Sequence, residues 1–260
     1  MKFLKFISEN KIKNGYYDGE KVIEIEKDIL EYDDVKIDNL KNELIKSYNL
    51  NDIKIINPVN PTKIVCVGLN YKDHAKEMNL DLPLEPKIFI KPSTCVIGNN
   101  DKIIYPKTSN RVDYEGELAI IIGKKAKNVT QDIANKYIFG YSIINDVTAR
   151  DLTIKDEQWT RGKSFDSFAP IGPFVQTEMN PLNQNIKVYL NDTIKQDSNT
   201  KNMIFSPYKL LEYISNIMTL YPGDVIATGT PSGVGPMNKN DIIKISIEDI
   251  GILTNELKED

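Results

Sequence analysis

Residues 113–123 place the tightest constraint on the fold. Asp113-Tyr114-Glu115-Gly116-Glu117 runs directly into Leu118-Ala119-Ile120-Ile121-Ile122, which closes at Gly123. An unbroken aliphatic run of that length reads as a buried strand. Similar short apolar runs occupy Lys63 to Val67, ending at Gly68, Ile88 to Ile90, ending at Lys91-Pro92, Tyr141 to Ile144, and Asp224 to Ala227. Ile186 to Leu190 leads into Asn191-Asp192, a hairpin signal. Ile243, Ile245 and Ile247 alternate with Lys244 and Ser246, predicting a strand over Ile242 to Ile247. One amphipathic helix is predicted after Ser206. Ser206 is a good cap, Pro207 suits the first helical position, and Leu210, Leu211, Ile214, Ile217 and Met218 form the apolar face. Thr130 is expected to cap a short helix through Tyr137. These elements do not alternate regularly as strand and helix, so the expected class is a mixed, β-rich α/β fold.

The first 57 residues read as a small separate domain, with the remaining domain spanning 58–260. Phe3 to Ile7 and Val22 to Ile25 read as strands flanking two turn signals, Asn14-Gly15 and Asp18-Gly19. Ile37, Leu40, Leu44, Ile45 and Tyr48 recur at helical spacing. Asn57-Pro58-Val59-Asn60-Pro61 then stops any helix and reads as a linker. The 260 residues carry 33 basic and 37 acidic side chains, a formal charge of −4. That balance argues against nucleic-acid binding through net charge. No apolar run approaches a membrane span. Lys2, Lys5 and Glu9 interrupt the N-terminus where a signal peptide needs an apolar core. A cytoplasmic protein without membrane or nucleic-acid partners is therefore expected. Two cysteines, Cys66 and Cys95, are too few for a disulfide scaffold. The single histidine, His74, excludes a zinc site built from several imidazoles of one chain.

Within a strand, Asp113, Glu115 and Glu117 share one side. Two glutamates facing one way at the mouth of an apolar strand repel each other, and a divalent cation between them relieves this. A solvated acidic strand end is the alternative. Asp146 follows the apolar run at Tyr141 to Ile144 and offers a third carboxylate; alternatively it caps the segment Val147 to Lys155, and the two roles can coexist through different oxygens. Three carboxylates suit a hard ion, Mg²⁺ or Mn²⁺, and since Mg²⁺ takes about six oxygens, positions stay open for water or substrate. His74 and Glu77 lie three apart, so on a helix they share a face and form an imidazole–carboxylate pair suited to a general base. An exposed histidine in a charged segment is the other reading. Lys163 and Arg150 either hold a substrate carboxylate or enolate, or are surface and ion-pair residues. Gly229-Thr230-Pro231-Ser232-Gly233-Val234-Gly235 lacks the Gly-Lys-Ser/Thr ending of a phosphate loop. It reads as an exposed loop whose backbone or Thr230 meets an anion, or as a tight turn.

These segments together closely resemble the fumarylacetoacetate hydrolase family, in the branch of small acylpyruvases, decarboxylases and isomerases. The matching segments are Val67-Gly68-Leu69-Asn70-Tyr71 with His74 and Glu77, Phe89 to Thr94, Asp113 to Leu118, Asn145 to Asp151, Trp159 to Phe165, and Gly223 to Gly235. They occur in family order and cover most of the chain. The resemblance implies a β-roll catalytic domain behind a small N-terminal domain, usually in a homodimer. It implies one Mg²⁺ or Mn²⁺ per subunit on Glu115, Glu117 and Asp146, a His74–Glu77 base dyad on a lid, and a catalytic Lys163. It further implies that Tyr71, Lys91, Arg150 and Thr230 lie in or beside the substrate pocket. The substrate class implied is a 2-oxo acid processed through a metal-bound enolate. Hydrolysis of an acylpyruvate C–C bond is the favoured reaction, with isomerisation (hydroxymuconate type) or oxaloacetate decarboxylation as alternatives. A non-catalytic metal-binding scaffold is the alternative from another class. In this family the position three after Arg150 is often a glutamine that contacts substrate. Here it is Thr153, so no one relative's substrate preference transfers directly.

Overall fold

The computed structural model describes residues 1–31, Leu40 and residues 45–259. Its N-terminal segment supplies β1 (Lys2–Ser8), β2 (Lys11–Tyr17), β3 (Val22–Ile25), β4 (Ser47–Tyr48) and β5 (Lys54–Ile56). Next come β6 (Lys63–Val67), helix α1 (Lys72–Glu77), β7 (Ile88–Pro92), β8 (Val96–Ile97), β9 (Lys102–Tyr105) and β10 (Val112–Tyr114). They are followed by β11 (Gly116–Ile122), β12 (Ile138–Asn145), β13 (Thr148–Ala149) and helices α2 (Arg150–Asp156) and α3 (Thr160–Lys163). The chain ends with β14 (Ala169–Gln176), β15 (Asn185–Leu190), β16 (Thr193–Asn199), α4 (Pro207–Ile217), β17 (Val225–Ala227), β18 (Gly235–Met237), β19 (Ile242–Ile247) and β20 (Gly251–Glu259). This is the mixed, strand-rich class read from the sequence.

The largest sheet runs β4-β3-β2-β1-β14-β12-β11-β17-β6-β7. A second sheet runs β16-β15-β19-β20-β9, and a short third one runs β13-β10-β18. Strand β11 lies inside the large sheet, antiparallel to β12 on one side and β17 on the other. All seven of its residues are buried. Each fully buried Ile or Leu contributes roughly 1.5–3 kcal/mol of transfer free energy, so β11 anchors the core. At Gly116, its first residue, side chains of the second sheet pack against it. A Cβ there would sit 2.5 Å from Val188 Cγ2, a side chain of β15.

The N-terminal strands extend the large sheet, because β1 pairs with β14 at Lys2↔Gln176 and Phe3↔Val175. Asn14-Gly15 is not a turn. It lies inside β2, paired with β1 and β3, and the chain reverses instead at Glu9-Asn10, both with positive φ. Of the helix expected over Ile37 to Tyr48, Ile37 and Leu44 lie outside the described residues. Tyr48 sits in β4, paired with Val22. Asn191-Asp192 makes the hairpin turn with both residues at positive φ, as a two-residue turn needs. Ser206 caps α4, its Oγ accepting the Lys209 N–H at 3.2 Å, and Leu210, Leu211 and Ile214 are buried. Ile217 is exposed and drops out of the expected apolar face, while Met218, just past the helix, packs half-buried against the core. Thr130 opens a 3₁₀ segment, Gln131–Tyr137, without a side-chain cap. Among the described residues no helix is long and apolar enough to cross a membrane.

Candidate active site

The register of two strands creates the acidic centre. Gly116 of β11 pairs with Asn145 of β12. The Glu115 N–H donates to Asn145 Oδ1 at 2.9 Å, and the Asp146 N–H donates to the Glu115 carbonyl at 2.9 Å. These bonds lock the adjoining strand ends side by side. Glu115, Glu117 and Asp146 then each present an oxygen within 4.8 Å of the others, and all three residues are buried. Asp113 is not in this set. The chain breaks its strand pairing at Glu115, and Asp113, on β10, takes Arg111 Nε at 2.9 Å and Arg150 Nε at 2.9 Å. Asp146 does not cap α2, whose N-cap is Ala149.

Three cations surround the carboxylates. The Lys163 ammonium bridges Glu115 Oε2 at 2.8 Å and Asp146 Oδ2 at 2.7 Å. Lys91 donates to Asp146 Oδ1 at 2.6 Å and to the Val147 carbonyl at 3.0 Å. Arg150 joins Asp113 to Glu115 Oε1. Burial alone would raise the Glu115 pKa, but Lys163 and Arg150 hold it down at about 2. Glu117 behaves oppositely. Burial pushes its carboxyl well above the ordinary range, and the charges of Asp146 and Glu115 push it further. Its Oε2 accepts the Gly229 N–H at 2.7 Å, and among the described residues no lysine or arginine bonds to it. Glu117 is thus the carboxylate short of positive charge, in an all-oxygen set. That donor chemistry fits a hard divalent cation.

Helix α1 carries the other half of the site. His74 Nδ1 lies 3.0 Å from Glu77 Oε2, so this nitrogen carries the proton donated to the carboxylate and Nε2 is left as the basic atom. The Gly233 N–H donates to the two Glu77 oxygens at 3.0 and 3.2 Å. His74 lines one cavity of about 810 Å³ together with Glu115, Glu117, Asp146, Arg150, Lys163 and Thr230. Met78, Leu80, Leu82, Ile154 and Trp159 supply much of its apolar wall.

Two expected pocket residues sit behind the lining. Lys91 is fully buried as the partner of Asp146. Tyr71 is fully buried, and its hydroxyl finds no hydrogen-bond partner among the described residues. Thr230 does line the cavity, and its hydroxyl donates to the Gly116 carbonyl at 2.9 Å. Thr153 turns its hydroxyl back onto the Arg150 carbonyl at 2.8 Å. The loop 229–235 is buried or half-buried, not exposed, and the anions met by its N–H groups are the protein's own Glu117 and Glu77. The sequence reading missed the wall residues after α1 and the buried Gln196. An exposed-looking apolar segment and a lone strand glutamine carry no local signal of a site.

The model of the fumarylacetoacetate (FAA) hydrolase C-terminal family matches residues 63–258. A mitochondrial oxaloacetate tautomerase of Xenopus laevis is 40% identical over 217 residues, 78% of this chain and 68% of that protein. A 2-hydroxyhepta-2,4-diene-1,7-dioate isomerase from Mycobacterium marinum is similar in structure, with a TM-score of 0.88 and 36% identity, covering 100% of this chain and 98% of that one. A maleylpyruvate hydrolase from Sphingobium sp. SYK-6, in complex with manganese(II) and pyruvate, has a TM-score of 0.84 and 26% identity, covering 100% and 99%. With its matched segment, its strand-rich architecture and its buried carboxylate triad, the chain belongs to the fumarylacetoacetate hydrolase family.

Proposed function

We propose that this protein is a divalent-cation-dependent enzyme that moves a proton at C3 of a 2-oxo acid, interconverting keto and enol forms or double-bond isomers. The observation that carries this reading is the chain's one imidazole, backed by Glu77, facing the same cavity as the triad. Mg²⁺ or Mn²⁺ held by Glu115, Glu117 and Asp146 would supply the positive charge that draws electrons from the 2-oxo group and acidifies C3–H. His74 Nε2 takes the C3 proton and returns it at the other end of the enol system. Glu77, accepting Nδ1–H, fixes the tautomer and stabilises the imidazolium. Lys163 holds Glu115 and Asp146 at a fixed separation. Arg150, partly exposed to the cavity, offers a guanidinium to the substrate carboxylate. The apolar wall excludes water from the enolic carbon.

The tautomerase at 40% identity and the isomerase at 36% support proton transfer. Hydrolysis of an acylpyruvate-type substrate is the second reading. It uses the same site with His74 activating water, and the maleylpyruvate hydrolase at 26% identity supports it. The test is a panel of oxaloacetate, acylpyruvates and hydroxymuconate analogues with Mg²⁺ in D₂O, following loss of the C3–H signal by NMR. Exchange should fall about 10²–10⁴-fold in His74→Ala. No exchange with any compound, or a fully active His74→Ala protein, would overturn the proposal.

A further inference from the structure

We propose that Gln196 is a positioning residue that holds the His74–Glu77 dyad in register with the carboxylate triad, an inference that rests on the reading of His74 as the base. Gln196 is the one buried residue of β16, a strand otherwise exposed or half-buried. Its Oε1 accepts the N–H of Gly116, the residue between Glu115 and Glu117, at 3.1 Å. Its Nε2 donates to Thr230 Oγ1 at 2.9 Å and to the Pro231 carbonyl at 2.7 Å, with Ser232 O further off at 3.3 Å. Thr230 in turn donates to the Gly116 carbonyl. One amide therefore closes a ring between the strand that carries two carboxylates and the loop that follows β17.

That loop reaches the dyad three residues later, where the Gly233 N–H grips the Glu77 carboxylate. Gly233 has φ +94°, and a Cβ there would lie 2.0 Å from the Lys195 carbonyl, so the loop rests directly on the backbone beside Gln196. The same strand holds the other end of α1. Ser198 Oγ donates to Asp73 Oδ2 at 2.6 Å, and Asp73 Oδ1 accepts the His74 N–H at 2.9 Å. β16 thus contacts the first turn of the dyad helix directly and the Glu77 end through the loop that rests on Lys195. The Gln196 amide accepts from Gly116 through its oxygen and donates to the loop through its NH₂, so one side chain serves both. The triad has its own supports in Asn145, Lys91, Lys163 and the Gly229 N–H. Loss of Gln196 should therefore loosen the dyad more than the cation site.

The single histidine makes the test unambiguous, because every imidazole NMR signal belongs to His74. In Gln196→Ala the hydrogen-bonded Nδ1–H resonance of His74 should disappear, and kcat should fall about 10–100-fold. The Mn²⁺ dissociation constant, measured by calorimetry, should stay within about threefold of wild type. In the His74→Ala background the same substitution should change residual kcat less than about twofold, the coupling expected of groups that act through one another. Retention of the resonance, additive losses, or weakening of Mn²⁺ binding by the same factor as kcat would overturn the assignment. If Gln196→Ala does not fold, Ser198→Ala decides. Loss of the resonance with a smaller fall in kcat supports the role of β16, and no change in either refutes it. A His74→Ala protein with full activity would sink the base assignment, while the resonance would still report on Gln196.

Discussion

Replacing Lys163 with Met separates the charge balance of the centre from its packing. Lys163 is buried and bonds Glu115 at 2.8 Å and Asp146 at 2.7 Å. Methionine nearly preserves the volume and removes the ammonium, leaving two close carboxylates. Breaking a buried pair by removing one partner costs about 3–5 kcal/mol. Arg150 still contacts Glu115 and Lys91 still contacts Asp146, so the lower end, about 3 kcal/mol, applies here. For chains of this size each kcal/mol shifts Tm by about 2–4 °C, giving a fall of about 6–12 °C in EDTA. A divalent cation replaces the lost charge. The variant should therefore bind it more tightly than wild type, and at saturation each tenfold gain in affinity closes about 1.4 kcal/mol of the gap. Thermal unfolding of both proteins in EDTA and in excess Mn²⁺ measures this. A variant melting within about 1 °C of wild type in EDTA would refute the reasoning, as would equal Mn²⁺ shifts in the two proteins.

Glu117→Gln removes the carboxyl that burial and like charges perturb most unfavourably, so without metal the variant should melt a few degrees above wild type while losing Mn²⁺ binding. Melting curves in EDTA paired with calorimetry check both halves. Asp224 supports stability at neutral pH. Burial opposes its ionisation, but bonds from Lys63, Thr62 and the Tyr221 N–H hold its carboxyl below the usual range. Since the folded pKa lies below the unfolded value of about 3.9, its contribution is present above that pH and is lost as pH falls through the folded pKa. Asp224→Asn should be less stable by about 1.5–3 kcal/mol at pH 7, with the gap narrowing below pH 4 in urea unfolding; a gap independent of pH contradicts it. Gly116→Ala places a methyl against Val188 and should destabilise by about 1–3 kcal/mol in the same assay.

The parts legible in the sequence were those fixed by local chemistry. The aliphatic run of β11, the alternation of β19, the Asn191-Asp192 hairpin and the Ser206 cap each depend on neighbours within a few residues. The His74–Glu77 pair belongs to the same kind, since three-residue spacing on one helical turn brings the groups together. Glu115 and Glu117 announced themselves by spacing, but their meeting with Asp146 depends on the β11–β12 register, which no local pattern encodes. Asp113 has the same spacing and was drawn away by Arg111, two residues before it, and by Arg150, whose place is set by where α2 begins. Asn14-Gly15 carries a strong turn signal, yet two neighbouring strands claim it, and tertiary pairing overrides the local preference. Gln196 was invisible because its partners lie about 35 and 80 residues away.

Calorimetric titration of metal-free protein with Mn²⁺ tests the central claim most directly. One site per chain is expected, abolished in Glu117→Gln and in Asp146→Asn and retained in His74→Ala. Binding that survives both triad substitutions, or no binding by wild type at millimolar Mn²⁺, would contradict a cation-dependent centre.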